Sequence, residues 1–286
     1  MPRLLTIGHV TRDRRPDGDV LGGSAAYGAL AARRLGWEVG VLTAAGPDFE
    51  PERELPGIDV FLIRSGATTR FVNTYDEDGT RHQTVVARAD DIELTPLPED
   101  WRRPDALLLS PVAGELGGVR ATSLDAESVG AVAQGWLREI GPGGLVSPRE
   151  WTGAGADLLG VHVVVLSEQD LPDADAGARK LLKHVPMVAL TRGWRGLTLL
   201  ARQGDYEVPG LPRAEVDPTG AGDVFAAAFL VRYHEAGDPL EAAAFAACAA
   251  SFAVEGVGAS SLGGRQEVLR RLEMRERYIE EGECDD

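Results

Sequence analysis

The most informative stretch of this chain is Glu215-Val216-Asp217-Pro218-Thr219-Gly220-Ala221-Gly222-Asp223-Val224-Phe225-Ala226-Ala227-Ala228-Phe229-Leu230. A rigid turn at Asp217, Pro218 and Thr219 is followed by two glycines and then by a run rich in alanine, which is a strong helix former. The pattern predicts a helix that begins directly after the turn, with a backbone that no large side chain covers.

The start of this helix is suited to bind an anion. Its first amide groups have no acceptor within the helix, and the aligned peptide dipoles place partial positive charge there. Gly220, Ala221 and Gly222 carry little or no side chain that would keep a phosphate away. Asp223 lies in the first helical turn, where the dipole favours an ionised carboxylate.

A charged acid beside a phosphate-binding backbone suggests phosphoryl transfer. Asp223 would take the proton from a substrate hydroxyl group, while an anion hole at 220–222 stabilises the transferring phosphoryl group. The simpler interpretation is a capped helix behind a glycine turn, with Asp223 as an ordinary first-turn acid. Short glycine motifs often match by chance, so the choice between these two interpretations depends on the rest of the chain.

Length and composition describe an ordinary globular enzyme. The 286 residues are 44% hydrophobic and 26% charged, enough for a large α/β core with an appendage. No apolar run approaches the roughly 20 residues of a membrane span, and the first eight residues are too short for a signal peptide. We therefore expect a cytoplasmic protein. The net charge of −16 argues against nucleic acid, which needs a basic face.

The order of elements predicts a mostly parallel sheet flanked by helices. A strand at 3–10, a glycine-capped helix at 22–36 and a strand at 37–45 form a β-α-β unit. Ligands collect at the carboxyl ends of the strands in such sheets, which places Asp13 and the Gly22-Gly23 turn at the mouth of a site. Further strands are predicted at 105–112, 128–133, 161–166, 187–191 and 196–201, and further helices at 173–184, 221–235, 239–255 and 265–281.

One region breaks this order. Residues 70–75 and 81–86 alternate polar and apolar side chains around Asp76-Glu77-Asp78-Gly79, which predicts a β-hairpin. We interpret 68–88, together with a polar loop from Thr11 to Leu21, as a small lid over the substrate. A surface hairpin without a role fits the pattern equally well. A lid also leaves open a homodimer formed through it.

The heptad from Asp217 to Asp223 resembles the C-terminal signature of the PfkB (ribokinase-like) carbohydrate kinases, and the resemblance extends from the first strand to the loop at 256–260. Within that family, the segments 8–13, 21–27 and 134–138 look nearest to a branch that includes myo-inositol kinases. The resemblance implies a single-domain α/β fold over residues 1–286, a three-layer sandwich with a β lid. It also implies ATP- and Mg²⁺-dependent phosphorylation of a hydroxyl group.

Most of the candidate residues take their roles from the same resemblance, whereas Gln134 and Arg192 are candidates because of their position after a strand and their polar side chains. Asp223 matches the family's catalytic base, and Gly220, Ala221 and Gly222 match its anion hole. The candidate substrate-binding residues are Asp13, Gly22, Gly23 and Gln134. The candidate nucleotide-binding residues are Ser167, Thr191, Arg192, Gly193, Thr219, Gly256 and Gly258.

Two departures from the family pattern bear on the substrate and the metal. Ser167-Glu168-Gln169-Asp170 stands where the family has Asn-x-x-Glu, so the carboxylate of Asp170 reaches one methylene less far. Glu168 and Asp170 are the candidate Mg²⁺ ligands, because magnesium prefers one or two carboxylates with phosphate oxygens and water. Tyr27 replaces an asparagine that is common in sugar kinases, which weakens a ribose or fructose assignment.

Some interpretations stay open. Arg192 is either a charge-assisted donor to a phosphate or a solvated loop charge, and Gln134 either faces substrate or makes structural hydrogen bonds. A dehydrogenase is a weaker alternative, because the glycine motifs of this chain lack the third glycine and the acidic residue that a dinucleotide site needs. The chain also has no P-loop motif. A kinase acting on a polyol such as myo-inositol is the leading hypothesis. A sugar or nucleoside kinase and a non-catalytic nucleotide or sugar sensor are the alternatives.

Overall fold

The computed structural model describes residues 1–15, 18–75, 81–211 and 213–283. The predicted turn at Asp76-Glu77-Asp78-Gly79 lies outside these residues. A nine-stranded sheet forms the centre of the molecule. From one edge to the other, its strands are Gly204–Pro209 (β15), Gly196–Ala201 (β14), Met187–Thr191 (β13), Val163–Ser167 (β12), Ser128–Val132 (β9), Ala106–Leu109 (β8), Arg3–Ile7 (β1), Glu38–Ala45 (β4) and Asp59–Arg64 (β5).

The strands from β13 to β5 are all parallel, and β14 and β15 are antiparallel at one edge. The central strands are almost continuously apolar because both faces of the sheet are covered. The strand predictions at 187–191 and 196–201 are confirmed residue for residue. The edge strands β5 and β15 were missed.

Helices cover the two faces of the central sheet. One face packs against Ser24–Arg34 (α1), Ala221–Ala236 (α5), Pro239–Ala253 (α6) and Arg265–Glu283 (α7), and the other against Ala154–Asp157 (α3) and Ala174–Leu181 (α4). The short helix Pro51–Glu54 (α2) connects β4 to β5. Residues 224–231 of α5 are all buried because this helix lies against α1, α6 and the sheet, which explains its alanines. The predicted three-layer sandwich is confirmed.

A second sheet of four strands stands apart from the central one. Its order is Gly18–Gly22 (β3), Thr11–Arg15 (β2), Thr69–Tyr75 (β6) and Arg81–Ala87 (β7). The hairpin predicted around residues 70–86 is present. The prediction of a polar loop from Thr11 to Leu21 was wrong, since Thr11–Arg15 and Gly18–Gly22 are antiparallel strands of this sheet.

Ion pairs explain why strand β2 looked like a loop. Its Arg12 pairs with Glu54 of α2, and Arg70 of β6 pairs with Asp19 of β3 at 2.9 Å. Each of these charged side chains finds its ion-pair partner on another element. Charged residues can therefore occupy these strand positions, and the sequence shows no alternation of polar and apolar residues. A further hairpin, Arg138–Ile140 (β10) and Val146–Pro148 (β11), was not predicted. It joins β7 through a bridge between Thr84 and Leu145.

In the parts of the chain that the structure describes, every helix is too short or too polar to span a lipid bilayer.

Candidate active site

A cleft of about 570 Å³ lies where the parallel strands end, between the central sheet, the second sheet and the start of α5. Most of the predicted site residues meet there, although they come from six separate segments of the chain. Those that line the cleft are Asp13, Gly23, Gln134, Ser167, Glu168, Asp170, Thr191, Gly193, Thr219, Gly220, Ala221, Gly222 and Asp223.

Four predicted site residues do not line the cleft. Gly22 lies behind Asp13, Gly258 lies behind the turn that precedes α5, and Gly256 lies against Ser260 and Ser261. The guanidinium of Arg192 donates to Asp175 at 2.7 Å and to Thr198 at 3.3 Å. Its charge is therefore engaged mainly by a carboxylate of α4, and Arg192 also lies 4.0 Å from the carboxylate of Glu168, which lines the cleft.

The turn before α5 is held by the buried carboxylate of Asp217. One oxygen accepts the amide of Thr219 at 3.0 Å, and the other accepts the amide of Gly258 at 3.4 Å. The amides of Val216 and Asp217 both donate to the carbonyl of Val254, at the end of α6. The loop at 256–260 thus contributes to the site by fixing the turn.

Gly220 has a backbone that other residues rarely adopt. Its φ is +82°, in the left-handed region, and a Cβ atom there would lie 2.5 Å from the ring of Tyr27. Tyr27 is buried, so the residue that replaces the family's asparagine packs against the turn. At Gly222, by contrast, a Cβ atom would have nothing within 4 Å.

The backbone at the start of α5 offers hydrogen-bond donors to the cleft. Among the described residues, no protein acceptor is bound by the amides of Gly220 and Gly222. The amide of Ala221 donates to the carbonyl of Pro218 at 3.3 Å. Two of the three amides predicted for the anion hole are therefore available to a phosphate.

Asp223 lines the cleft next to these amides. Burial raises the pKa of Asp223 from 3.8 to about 7, because the ionised form loses hydration. A hydrogen bond from Ser24 and the positive charge of Arg138 act in the opposite direction, and the negative charges of Asp170 and Asp13 raise the pKa further. A carboxyl group that titrates near neutral pH is suited to act as a general base.

The two candidate magnesium ligands both reach the cleft. One oxygen of Asp170 accepts the amide of Ser167 at 2.7 Å, and Glu168 forms an ion pair with Arg195. No group of three or more metal-binding side chains is found within the described ranges. This arrangement fits magnesium, which takes one or two carboxylates and completes its shell with phosphate oxygens and water.

Sequence reasoning missed several residues of the cleft wall, including Ser24, Asn73, Gln83 and Trp194. Ser24 lies in an alanine-rich helix with no local pattern that marks it. Asn73 and Gln83 had a detectable signal, because each lies two positions from an apolar residue, Phe71 or Val85, on the same face of a strand.

Comparison with known proteins agrees with this geometry. The family model described as pfkB family carbohydrate kinase matches residues 160–263. A cytidine kinase from Thermococcus kodakarensis is 32% identical over 269 residues, which cover 83% of this chain and 90% of that relative.

Solved structures share the fold. A ribokinase from Thermotoga maritima has a TM-score of 0.72 at 20% identity, over 96% of this chain and 100% of its own. A pyrophosphate-dependent myo-inositol-1 kinase, converted into a myo-inositol-3 kinase by two substitutions, has a TM-score of 0.75 at 20% identity, over 94% and 98%. With a relative 32% identical along most of both chains, the protein belongs to the PfkB family of carbohydrate kinases and is a phosphotransferase that acts on a hydroxyl group.

Proposed function

We propose that this protein transfers the γ-phosphoryl group of ATP to a hydroxyl group of a small sugar-like acceptor, with Asp223 as the general base. The observation that carries the proposal is the position of Asp223 in the cleft, beside the available amides of Gly220 and Gly222. Its carboxylate accepts the hydroxyl proton while the acceptor oxygen bonds to the γ-phosphorus and the bond to the β-phosphate oxygen breaks. The amides stabilise the charge of the phosphoryl group in transit.

The wall of the cleft supports a nucleotide as the donor. Between β14 and α6 the lining is apolar, formed by Leu197, Leu211, Ala247, Ala250 and Val254. Trp194 lies at the rim of this region and is 68% exposed. An adenine ring can pack against such a wall, whereas pyrophosphate, the donor named for one structural neighbour, has no apolar part to place there.

Glu168 and Asp170 would hold a magnesium ion that is bound to the donor phosphates, and the ion would supply positive charge to the phosphate oxygens. The second sheet faces the acceptor side of the cleft through Asp13. Its closure over the acceptor would exclude water from the reaction.

For the acceptor, we place a nucleoside first and a polyol such as myo-inositol second. The relative that is 32% identical along most of its length is a cytidine kinase. The neighbour that acts on myo-inositol is 20% identical, so its similarity supports the fold and does not identify the acceptor.

Turnover of a panel of nucleosides, sugars and polyols with ATP or pyrophosphate tests this function. We expect Asp223→Asn to keep the fold and ATP binding, both measured by thermal shift, and to lose about 10²- to 10⁴-fold in turnover. Near-normal turnover in this variant would remove Asp223 as the base. A wild-type protein that binds nucleotide and turns over no acceptor would instead be the sensor considered above.

A further inference from the structure

The inner face of the second sheet carries a pair of amide side chains that the mechanism above does not use. Asn73 on β6 and Gln83 on β7 are cross-strand neighbours, and both line the cleft. Nε2 of Gln83 donates to Oδ1 of Asn73 at 3.0 Å. Oε1 of Gln83 is buried and has no hydrogen-bond partner among the described residues. Because a buried acceptor without a donor is unfavourable, this oxygen would gain from a ligand that donates to it.

The chemistry of the pair is the same whichever way round the two amides are assigned. One hydrogen bond between two carboxamides uses an amino group of one and a carbonyl oxygen of the other. It leaves one carbonyl oxygen and one amino group side by side. An adjacent acceptor and donor is the pattern by which carboxamides bind the polar edge of a nucleobase.

The cross-strand row next to the pair has a different character. Phe71 on β6 is paired with Val85 on β7 and, on its other side, with Asp13 on β2. Phe71 is buried in a small apolar cluster with Val85 and Val146. This row therefore offers an apolar aromatic surface next to the carboxylate that was predicted to hold substrate hydroxyls.

The spacing of the two rows limits the ligands that can use both. Two residues along a strand span about 7 Å, so the amide pair lies about that far from the row of Asp13. A ligand that reaches both needs a hydroxyl group, then a flat apolar ring, then a polar edge. A nucleoside has these parts in this order. A cyclic polyol carries hydroxyl groups around a single ring and has no flat apolar part to place against Phe71.

We propose that Asn73 and Gln83 are specificity-determining residues, which bind the hydrogen-bonding edge of a nucleobase while the sugar of the nucleoside lies between Asp13 and Asp223. This inference rests on the proposed function, because it names the acceptor class of the same site.

The test compares each nucleoside with an analogue that lacks its exocyclic amino group, namely cytidine with pyrimidin-2-one riboside and adenosine with purine riboside. Values of kcat/KM are measured for wild type, Asn73→Leu and Gln83→Leu. We expect wild type to prefer one amino-bearing nucleoside by about 10- to 100-fold over its analogue, and both variants to lose that preference. The matched control is Thr74→Leu, an exposed position on the same strand outside the cleft, which should keep it.

The preference is a ratio measured on folded, active enzyme, so a lower stability of a variant does not change it. If both variants reduce kcat/KM for a nucleoside and its analogue by the same factor, the amide pair is structural and the inference is overturned. Equal use of myo-inositol or ribose and nucleosides by wild type overturns it as well. In both cases the kinase activity itself stands.

If wild type turns over no acceptor, the proposed function fails. Calorimetric binding of cytidine and adenosine then still tests whether Asn73 and Gln83 bind a nucleobase. Binding that is lost in Gln83→Leu and kept in Thr74→Leu supports the inference. An absence of nucleoside binding to wild type overturns it.

Discussion

The turn before α5 and the second sheet hold their cleft residues in opposite ways. The turn is fixed by a buried carboxylate, Asp217, which binds two amides, and by Gly220, which lies so close to the ring of Tyr27 that no Cβ atom fits between them. The second sheet presents its cleft residues on strands, where one side chain can be exchanged without changing the backbone. Its ion pair between Arg70 and Asp19 is partly exposed and contributes little to stability.

This difference suggests a division of labour. In the proposed mechanism the turn supports one chemical step, and that step requires a single geometry of amides and carboxylate. In the same mechanism the second sheet faces the acceptor, and the relative and structural neighbours named above differ in the acceptor that they are named for. Substitutions in the turn should therefore affect folding and turnover together, whereas those in the second sheet should affect the choice of acceptor.

Alanine at the two glycines of the turn tests the rigid half of this comparison and has the largest expected effect. In Gly220→Ala the new methyl group would meet Tyr27 at a positive φ, which should cost about 1–3 kcal/mol of unfolding free energy. Turnover should fall by about 10²- to 10³-fold, as for the loss of an anion-hole donor. Denaturant unfolding and steady-state kinetics measure the two effects.

Gly222→Ala is the matched control within the same turn. Its methyl group would have no neighbour within 4 Å, and alanine is the better helix former by about 1 kcal/mol. We expect unchanged or higher stability, with a smaller loss of turnover. Equal destabilisation by the two substitutions would show that contact with Tyr27 does not fix the turn.

The sequence predicted the elements whose signals are local. The glycine turn and alanine-rich run predicted the start of α5 at residue 221, where it is found, and its end within one residue, and the alternation around Phe71 predicted the β6–β7 hairpin. It did not predict what depends on partners far along the chain. Arg192 follows a strand of the cleft, but Asp175 of α4 engages its charge. Ser24 is bonded to Asp223, which lies about two hundred residues later.

Gly22→Ala examines the second sheet at the point where it would hold the acceptor in the proposed function. A Cβ atom at Gly22 would lie 2.5 Å from the carboxylate of Asp13 and 2.7 Å from the hydroxyl of Thr11. The substitution should displace Asp13 and raise the KM of the acceptor by about 10- to 100-fold, the range for a lost hydrogen bond to a charged group. The KM of ATP should stay unchanged.

Asp13→Asn is the companion variant, because it alters the same carboxylate without adding a methyl group behind it. Both variants should raise the acceptor KM. Both should lower the unfolding free energy by less than Gly220→Ala does. A parallel rise in the KM of ATP would mean that the second sheet and the donor side are coupled, and the division of labour would fail.

The smallest expected effect links the two regions through the pKa of Asp223. Since the base must be ionised, kcat/KM should rise with pH through about 7, the pKa that burial gives this carboxyl group. The same raised pKa means that the folded state binds this proton more tightly than the unfolded state. Its contribution to stability is therefore lost as pH rises from about 4 to about 7, and Asp223→Asn should flatten that part of the stability curve.

Ser24→Ala sharpens this prediction, because Ser24 lines the cleft at the first turn of α1 and its hydrogen bond lowers the pKa of Asp223. Without the hydroxyl group, the acid limb of kcat/KM should move to higher pH, by less than about one pH unit for one hydrogen bond. The rate should fall at neutral pH and recover under alkaline conditions, and Ser24→Thr should retain the wild-type profile. A uniform loss at every pH would mean that Ser24 positions the helix and not the base.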